Sequence, residues 1–246
     1  MSENHEFYMQ RALGLAGAGL GRVWPNPSVG CVVVKDGAVI GEARTQDGGR
    51  PHAEEYVLGA LGDAARGATA YVTLEPCCHA RETINCTQNL IRAGVARVVI
   101  ACADPDPRMA GRGIAALRAA GIDVVTGVLE EDAKKGHQGF FLRVTQNRPY
   151  VLLKQAISRD GMIAAAPGVR TQISGAQAHR YVHELRATYD AVAVGVNTVL
   201  ADDPLLTTRL EGINHRIVRI VFDSDLRIPL GSKLVQTAGH DPLWAL

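Results

Sequence analysis

The sequence predicts an α/β protein with two consecutive domains, and three observations support this interpretation. Short apolar strands alternate with helical segments through the first part of the chain. A polar, proline-containing segment, QNRP at residues 146–149, then interrupts the pattern. Beyond it a second alternation of strands and helices begins. We therefore expect one domain over residues 1–147 and a second domain over residues 148–246.

The first domain is expected to open with a helix in HEFYMQRALGLAGAGLG, capped by Asn4. The segment SVGCVVVKDGAVIGEA predicts a β-hairpin that turns at Asp36 and Gly37. A helix from about His52 to Leu61 should follow. The remaining elements are predicted to be the strands ATAYVTLE, ARVVIACA and IDVVTGVL, alternating with the helices TQNLIRAG and GRGIAALRAAG. This alternation is typical of an α/β sandwich with parallel strands.

The second domain is predicted to begin with a strand in PYVLLKQAIS. A helix in AQAHRYVHELRATY and a strand in DAVAVGV should follow. The loop ADDPLLTTR and the strand RIVRIVFDS complete the predicted elements of this domain.

The composition is that of an ordinary globular protein. Of the 246 residues, 47% are hydrophobic and 21% are charged, with a formal net charge of +1. So small a net charge argues against non-specific nucleic-acid binding, which needs a basic surface. No apolar run has the length of a membrane span, and the N-terminal residues lack the apolar core of a signal peptide. We therefore expect a cytoplasmic protein whose five cysteines are metal ligands or core residues.

Four residues suggest a catalytic zinc site. His52 and Glu54 lie in PHAEEY, and Cys77 and Cys86 lie in LEPCCHARETINC with eight residues between them. Zinc binds imidazole nitrogen and thiolate sulfur in a tetrahedron, and a catalytic site leaves one position for water. Glu54 would move protons without binding the metal. The signature of zinc deaminases is His-x-Glu followed by Pro-Cys-x-x-Cys, and only its second cysteine is displaced here.

Other cysteines and histidines allow alternative assignments. Cys78 and His79 are too close to Cys77 to exclude a swapped ligand, although a substrate contact is the preferred role of His79. Cys31 and Cys102 lie inside apolar strands and are expected to be packing residues.

The motifs of the first domain resemble those of the bacterial riboflavin-biosynthesis deaminase–reductase family. They are WPNPSVGCVVVKDG, PHAE, ATAYVTLEPC with its eight-residue spacer, and DPDPRMAGRGI. Cytidine and transfer-RNA adenosine deaminases share the core motifs but keep the two cysteines close together. The resemblance implies a cytidine-deaminase-like three-layer sandwich followed by a dihydrofolate-reductase-like α/β domain that uses NADPH.

The resemblance also implies two reactions. Zinc-dependent hydrolysis would convert 2,5-diamino-6-(5-phosphoribosylamino)pyrimidin-4-one to 5-amino-6-(5-phosphoribosylamino)uracil, with Asn26 and His79 contacting the substrate. NADPH would then reduce the ribosyl group to a ribityl chain. The implied partners are a small pyrimidine ribosyl phosphate and further copies of the chain in a homodimer or higher homo-oligomer, with no nucleic acid and no membrane.

Segments of the second domain, VLLKQAISRDGMIA and LRATYDAVAVGVNTVLADDPLLTTR, are similar to the reductase half of that family. By position, the resemblance implies cofactor contacts from Ala156, Gln172, Thr198, Asp202 and Ser224. It implies substrate contacts from Arg170, Arg186, Leu206 and Arg209, whose arginines suit a ribose phosphate.

The chain departs from the family pattern at several positions. Thr45 stands where the family usually has a histidine, and Arg81-Glu82 stands where it usually has Gly-Lys or Gly-Arg. Gln172 and Arg170 stand where it often has Trp and Ser. The family's reductase domain continues beyond the position of Leu246, so the resemblance implies a truncated second domain that binds NADPH weakly.

Two other functions are compatible with parts of the sequence. A monofunctional cytidine, nucleotide or transfer-RNA deaminase would need the zinc residues but no second domain. A non-catalytic zinc-stabilised scaffold would need a fourth protein ligand and no general base, which Glu54 argues against.

Overall fold

A computed structural model describes residues 4–78, 85–213 and 215–246. The chain divides into two compact units, Met1–Val151 and Leu152–Leu246. Within the described residues, no helix combines the length and the apolar character needed to cross a membrane. His79, Arg81 and Glu82, singled out in the sequence, lie outside the described residues.

The first unit is built on one five-stranded sheet. Its strands are β1 (Gly30–Lys35), β2 (Ala38–Arg44), β3 (Thr69–Leu74), β4 (Arg97–Cys102) and β5 (Asp123–Thr126). Their order in the sheet is β2-β1-β3-β4-β5. The β1–β2 hairpin turns at Asp36 and Gly37, which both have positive φ angles, the backbone that a tight two-residue turn requires.

The sheet is mixed, in agreement with the predicted antiparallel hairpin and with the parallel strands predicted where strands alternate with helices. β1 pairs antiparallel with both β2 and β3, whereas β3, β4 and β5 pair in parallel. The two-residue turn forces β1 and β2 to be antiparallel, and the helical connections between β3, β4 and β5 allow parallel pairing.

Helices cover both faces of this sheet. They are α1 (His5–Gly19), α2 (Ala53–Leu61), α3 (Cys86–Ala93), α4 (Arg112–Ala119), α5 (Glu130–Gly136) and α6 (Gln138–Gln146), with 3₁₀ turns at Asp47–Gly49 and Gly62–Ala65. α1 packs with α5, whereas α2 packs on α3 and α3 on α4. The helices α5 and α6 were not predicted from the sequence.

Local sequence accounts for the helix ends that matter to the site. The Asn4 side chain accepts a hydrogen bond from the Phe7 amide and caps α1, as predicted. Asn85 and Gln88 form a capping box at the start of α3, and Gly94 ends this helix in the left-handed conformation. These signals fix Cys86 as the first residue of α3.

The core of the first unit lies around the three central strands. Every residue of β3 is buried, as are nearly all residues of β1 and β4. Cys31 and Cys102 are buried within this core, as the apolar strands around them predicted. α1 crosses β1 so closely that a Cβ atom on Gly30 would lie 1.9 Å from the Ala12 carbonyl oxygen. Only glycine permits this approach.

The second unit contains a three-stranded parallel sheet. Its strands β6 (Ala191–Gly195), β7 (Val218–Phe222) and β8 (Leu243–Ala245) lie in the order β6-β7-β8. Its helices are α7 (Ala176–Ala187), α8 (Val196–Asp202) and α9 (Lys233–Gln236). A small core joins Val196, Val199, Leu206, Val221 and Leu234.

The strand predicted in PYVLLKQAIS is absent, since residues 150–175 form neither helix nor strand. A strand is stable only when it pairs with another strand, and this segment finds no partner among the described residues. Its apolar side chains are exposed, with Leu153 at 86%. The loop predicted in ADDPLLTTR begins later than expected, because α8 includes its first two residues, Ala201 and Asp202.

Candidate active site

Three donor side chains meet where two helices of the first unit begin. His52 immediately precedes α2, Cys86 is the first residue of α3, and Cys77 follows the end of β3. His52 Nδ1 lies 3.2 Å from Cys86 Sγ and 3.7 Å from Cys77 Sγ. All three donor atoms lie within 4.8 Å of one another. The three side chains therefore lie close together because they belong to neighbouring strand and helix ends.

The chemistry of these donors fits a zinc ion. Zinc takes sulfur at about 2.3 Å and nitrogen at about 2.0–2.1 Å, so ligand nitrogen and sulfur in a tetrahedron lie about 3.6 Å apart. The two nitrogen–sulfur distances lie on either side of that value. Among the described residues this cluster offers one imidazole and two thiols, which would leave a fourth position for water. Three protein ligands are typical of a catalytic zinc site, whereas a structural site has four.

The surroundings of the Cys77 thiol favour its ionised form by lowering its pKa. Hydrogen bonding from the Cys86 side chain lowers the pKa of Cys77 to about 4, and His52 contributes in the same direction against the effect of burial. The Cys86 amide also donates to Cys77 Sγ at 3.4 Å. The pKa of Cys86 is raised by its hydrogen bond to Cys77 and by burial. A cation bound here would favour the thiolate form of both cysteines.

Glu54 lies in the first turn of α2, next to the donor atoms. It is only 3% exposed, and burial, aided by the charge of Cys77, raises its pKa to about 7. The hydrogen bond with Cys86 and the charge of His52 act in the opposite direction. A carboxyl group with a pKa near neutrality can both accept and return a proton.

These groups open into a cavity of about 790 Å³. Its wall includes His52, Glu54 and Cys77, and also Asn26 and Thr45. Asn26 Nδ2 donates to the Gly49 carbonyl at 2.8 Å, which fixes the Asn26 side chain at the cavity wall. Thr45 is buried, accepts from the Val29 amide at 2.9 Å and donates to the Pro27 carbonyl at 3.1 Å. The Thr45 hydroxyl therefore holds the PNPS segment, residues 25–28, through two hydrogen bonds. It does not offer the imidazole that a histidine at this position would present.

Basic residues on the cavity wall were not identified from the sequence. Arg50, Arg108, Arg112 and Arg143 all line it. Arg143 lies 5.5 Å from the ring centres of Trp24 and Phe140 and donates to the Pro25 carbonyl at 3.1 Å. Two of the four, Arg108 and Arg112, lie in the motif DPDPRMAGRG, but a solvent-exposed loop would have the same sequence pattern.

In the second unit, several of the residues assigned to the cofactor lie near the carboxyl edge of the parallel sheet. Thr198 lies in the first turn of α8, which follows β6 directly, and Ser224 follows β7 closely, whereas Asp202 lies at the far end of α8. In open α/β sheets, ligands bind outside the carboxyl ends of the strands. Gln172 and Arg170 are exposed and Ala156 is half-buried, all within the irregular residues 150–175.

The residues assigned to the substrate of the second unit are only partly brought together. Arg186 Nη1 donates to the Thr207 carbonyl at 3.4 Å, and the Arg209 amide donates to His183 Nδ1 at 3.2 Å. Arg209 belongs to the segment that joins α8 to β7, and the bond to Thr207 holds Arg186 beside that segment. The Leu206 side chain is buried in the core of the unit, so only its backbone is available to a ligand.

Family comparisons identify both parts of the chain. The family model of the cytidine and deoxycytidylate deaminase zinc-binding region matches residues 2–102. The RibD C-terminal domain matches residues 149–244. The predicted fold classes of both domains are confirmed by these matches.

Individual proteins give the same result over nearly the whole chain. The riboflavin biosynthesis protein RibD of Aquifex aeolicus is 46% identical, and the match covers 94% of this chain and 65% of that protein. RibD of Escherichia coli K12 is 45% identical, with 96% and 67% covered. The chain thus spans about two thirds of the length of these curated relatives.

Solved structures agree with this relationship. A RibD structure from Acinetobacter baumannii matches with a TM-score of 0.90 and 41% identity, covering 98% of this chain and 69% of that one. A diaminohydroxyphosphoribosylaminopyrimidine deaminase/5-amino-6-(5-phosphoribosylamino)uracil reductase from Thermotoga maritima has the same TM-score, identity and coverage. On identity and coverage together, the chain belongs to the RibD family of riboflavin biosynthesis proteins.

Proposed function

We propose that the first unit hydrolyses the 2-amino group of 2,5-diamino-6-(5-phosphoribosylamino)pyrimidin-4-one and releases ammonia. The observation that carries this proposal is the buried carboxyl group of Glu54 beside a three-donor cluster of His52, Cys77 and Cys86. The similarity to the Thermotoga maritima protein, a diaminohydroxyphosphoribosylaminopyrimidine deaminase, supports the substrate class.

His52, Cys77 and Cys86 would hold the zinc ion. When bound, zinc supplies Lewis acidity that lowers the pKa of water to about 7. The three ligands remain buried or half-buried, which limits competition from bulk solvent.

Glu54 performs the proton transfers. Its carboxylate accepts a proton from the attacking water, and the resulting carboxylic acid donates a proton to the departing amine. The overall reaction consumes one water, replaces a C–NH2 group by a carbonyl and releases ammonia, so Glu54 returns to its starting state. Burial of Glu54 raises the pKa of its carboxyl group, which favours uptake of the proton from water before it is returned to the amine.

The cavity supplies substrate recognition. Asn26 presents an amide that can pair with the polar edge of the heterocycle, and the cavity volume of about 790 Å³ suits a nucleotide-sized ligand. The arginines of the wall suit its phosphate, because a guanidinium group binds phosphate oxygens through paired hydrogen bonds. We assign His79, which lies outside the described residues, to the substrate as well.

For the second unit we propose reduction of the ribosyl group by NADPH. We assign cofactor contacts to Ala156, Gln172, Thr198, Asp202 and Ser224, and substrate contacts to Arg170, Arg186, Leu206 and Arg209. The position of Thr198 and Ser224 close to the carboxyl ends of β6 and β7 supports this assignment. In this proposal residues 1–147 carry the deaminase and residues 148–246 carry part of the reductase.

We also propose a homo-oligomer in the cytoplasm. Exposed apolar side chains of the second unit, among them Leu153, Ile157 and Ile163, support association. The free thiols at the candidate zinc site suit a reducing compartment. Light scattering should give a mass of two or more times the monomer mass, and a purely monomeric species would refute the oligomer.

The test of the proposed function is product analysis by mass spectrometry. The zinc-loaded chain is incubated with the diaminopyrimidinone ribosyl phosphate, with and without NADPH, and with cytidine as a competing substrate. Deamination of the ribosyl phosphate without NADPH is expected, together with little or no turnover of cytidine. Preferential turnover of cytidine would favour a nucleoside deaminase, and no turnover of either compound would favour a zinc-stabilised scaffold.

A further inference from the structure

Glu75 is a buried carboxylate that the proposed chemistry does not use. It follows β3 directly, two residues before Cys77, and is only 4% exposed. Its backbone amide donates to the Cys102 carbonyl at 2.9 Å, so Glu75 lies beside the end of β4. The segment that leaves β4 there, residues 103–114, leads into α4 along the cavity wall.

The Glu75 side chain accepts four backbone hydrogen bonds from that segment. Oε2 accepts from the Asp104 amide at 3.1 Å and from the Gly111 amide at 3.0 Å. Oε1 accepts from the Gly113 amide at 2.9 Å and from the Ile114 amide at 3.2 Å. One carboxylate thus holds both ends of the loop between β4 and α4.

These bonds replace a missing helix cap. The N-cap position of α4 is Gly111, which has no side chain and makes no capping bond of its own. The first amides of a helix need an external acceptor, and a carboxylate is favoured there by the helix dipole. Glu75 supplies that acceptor from another strand. A Cβ atom on Gly113 would lie 2.4 Å from the Pro76 carbonyl oxygen, so the helix can approach only through a glycine.

Residues 104–114, the segment that Glu75 holds, present cationic groups to the cavity. Arg108 and Arg112 both line it, as do Asp104 and Asp106. Asp106 binds the Arg108 guanidinium through Nε at 2.9 Å and Nη2 at 2.6 Å, which offsets the charge of Arg108. Arg112 donates to the Arg108 carbonyl at 3.1 Å, and none of the ion pairs found among the described residues involves it. Arg112 is therefore the stronger candidate for an anionic ligand group.

We propose that Glu75 is a positioning residue for substrate binding: by holding residues 104–114 with four backbone hydrogen bonds, it places Arg112 against the substrate phosphate. This inference rests on the proposed deaminase function. Glu75 contacts no reacting atom in this proposal, and its effect is on affinity through the placement of Arg112.

The first test is Glu75→Gln. The side-chain carbonyl of glutamine can still accept two of the four hydrogen bonds. Its NH2 group is a donor, so it cannot accept a hydrogen bond from the other two backbone amides. We expect KM for the ribosyl phosphate to rise roughly 10-fold with kcat within about threefold, because binding is weakened but the proton transfer is intact. Zinc should stay at one ion per chain. Unchanged KM with a lower melting temperature would reduce Glu75 to a structural role and overturn the proposal.

A double-mutant cycle tests the route through Arg112. Arg112→Gln alone should also raise KM, and adding Glu75→Gln to it should raise KM by less than about threefold more. Fully additive effects would contradict the proposal. Arg118→Gln, at the other end of α4, is the charge-matched control and should leave KM unchanged. Ala115→Gly, which weakens α4 without touching Glu75, should also leave KM unchanged; a rise there would point to general loosening.

Amide hydrogen exchange separates this inference from the proposed function. In Glu75→Gln, exchange should accelerate at Asp104, Gly111, Gly113 and Ile114 relative to the unmodified chain, whether or not the chain deaminates. If the unmodified chain releases no ammonia, the proposed function fails, and the exchange pattern still decides whether Glu75 braces the segment. Unchanged exchange at these four amides would overturn the inference.

Discussion

The two units enclose their candidate sites in different ways. In the first unit the site lies among buried side chains, with Glu54 at 3% exposure and donor atoms within 4.8 Å of one another. In the second unit most assigned residues are exposed or half-buried, and three of them lie in residues 150–175, which form no helix or strand. Among the residues assigned to the site of the second unit, only Leu206 is buried, and its side chain packs into the core of that unit.

This difference shows what burial contributes to a site. Removing a group from water perturbs its ionisation and fixes its geometry, and both effects are present at Glu54 and Cys77. Exposed arginines such as Arg170 keep their ordinary solvation and need a ligand to order them. The candidate chemistry of the first unit is therefore preorganised, whereas that of the second unit depends on what binds there.

Replacing a candidate zinc ligand should have the largest effect. Cys86→Ser is expected to abolish deamination, strip the metal and loosen the first unit, because ligand binding contributes folding free energy. Zinc content by plasma mass spectrometry and ammonia release check this outcome. Cys78→Ser, outside the donor cluster, should keep both. Full zinc and activity in Cys86→Ser would transfer the ligand role to Cys78 or His79.

Replacing the proton carrier should cost activity and leave the metal in place. Glu54→Gln is nearly isosteric but cannot accept a proton, so we expect kcat for deamination to fall on the order of 100-fold or more. Zinc content should stay at one ion per chain. Glu6→Gln, at an exposed glutamate on α1, should behave as the unmodified chain. Retained activity in Glu54→Gln would exclude Glu54 as the general acid and base.

In the second unit, the comparable buried polar group is structural. Arg219 is fully buried on β7, and its guanidinium donates to the carbonyls of Leu205, Leu234 and Asp241 and to the Thr237 hydroxyl. Arg219→Met leaves those acceptors unsatisfied, so we expect a loss of about 3 kcal/mol in this unit.

Amide exchange resolved by unit checks this prediction. Exchange should accelerate across β6, β7 and β8 while the first unit and its deamination stay unchanged. Arg216→Met, an exposed arginine three positions away, should have little effect. Loss of deamination in Arg219→Met would show that the two units depend on each other for stability.

The last prediction concerns how the stability of the first unit depends on pH, an effect that is close to zero at neutral pH and grows only on acidification. Burial lowers the pKa of His137 to about 4, from an ordinary value of 6.5. Between these values the unfolded chain takes up a proton that the folded chain excludes, so stability falls as pH decreases from about 6.5 to 4. The loss should reach up to roughly 3 kcal/mol.

Chemical denaturation at several pH values checks this slope. His137→Gln should be less stable at neutral pH but show a flatter decline below pH 6.5 than the unmodified chain. Because zinc release at low pH is common to both proteins, the difference between their slopes isolates His137. Identical slopes would contradict the buried neutral imidazole.

Much of the first unit could be predicted because its signals are local. The Asn4 cap, the Asp36-Gly37 turn and the Gly94 helix stop each determine an element end from a few neighbouring residues. The His-x-Glu and Pro-Cys motifs likewise indicated a metal site, because they place the donor residues at a strand end and at helix starts that lie close together.

The remainder depends on contacts between distant residues. The bonds from Glu75 to the amides near Gly111 span more than thirty positions along the chain, and a buried glutamate has no local sequence signal. The prediction of a strand around Leu153 was wrong because a strand also needs a neighbouring strand to pair with, and a local apolar pattern does not show whether one is present. The role of Thr45 also became visible only from its bonds to Pro27 and Val29.

X-ray absorption at the zinc edge of the zinc-loaded chain distinguishes a catalytic from a structural zinc site, because the two differ in their ligands. We expect one imidazole nitrogen, two sulfurs at about 2.3 Å and one exchangeable oxygen. In Cys78→Ser the spectrum should be unchanged. A zinc ion with three sulfurs, or with four protein ligands and no exchangeable oxygen, would contradict the assignment of a catalytic zinc to His52, Cys77 and Cys86.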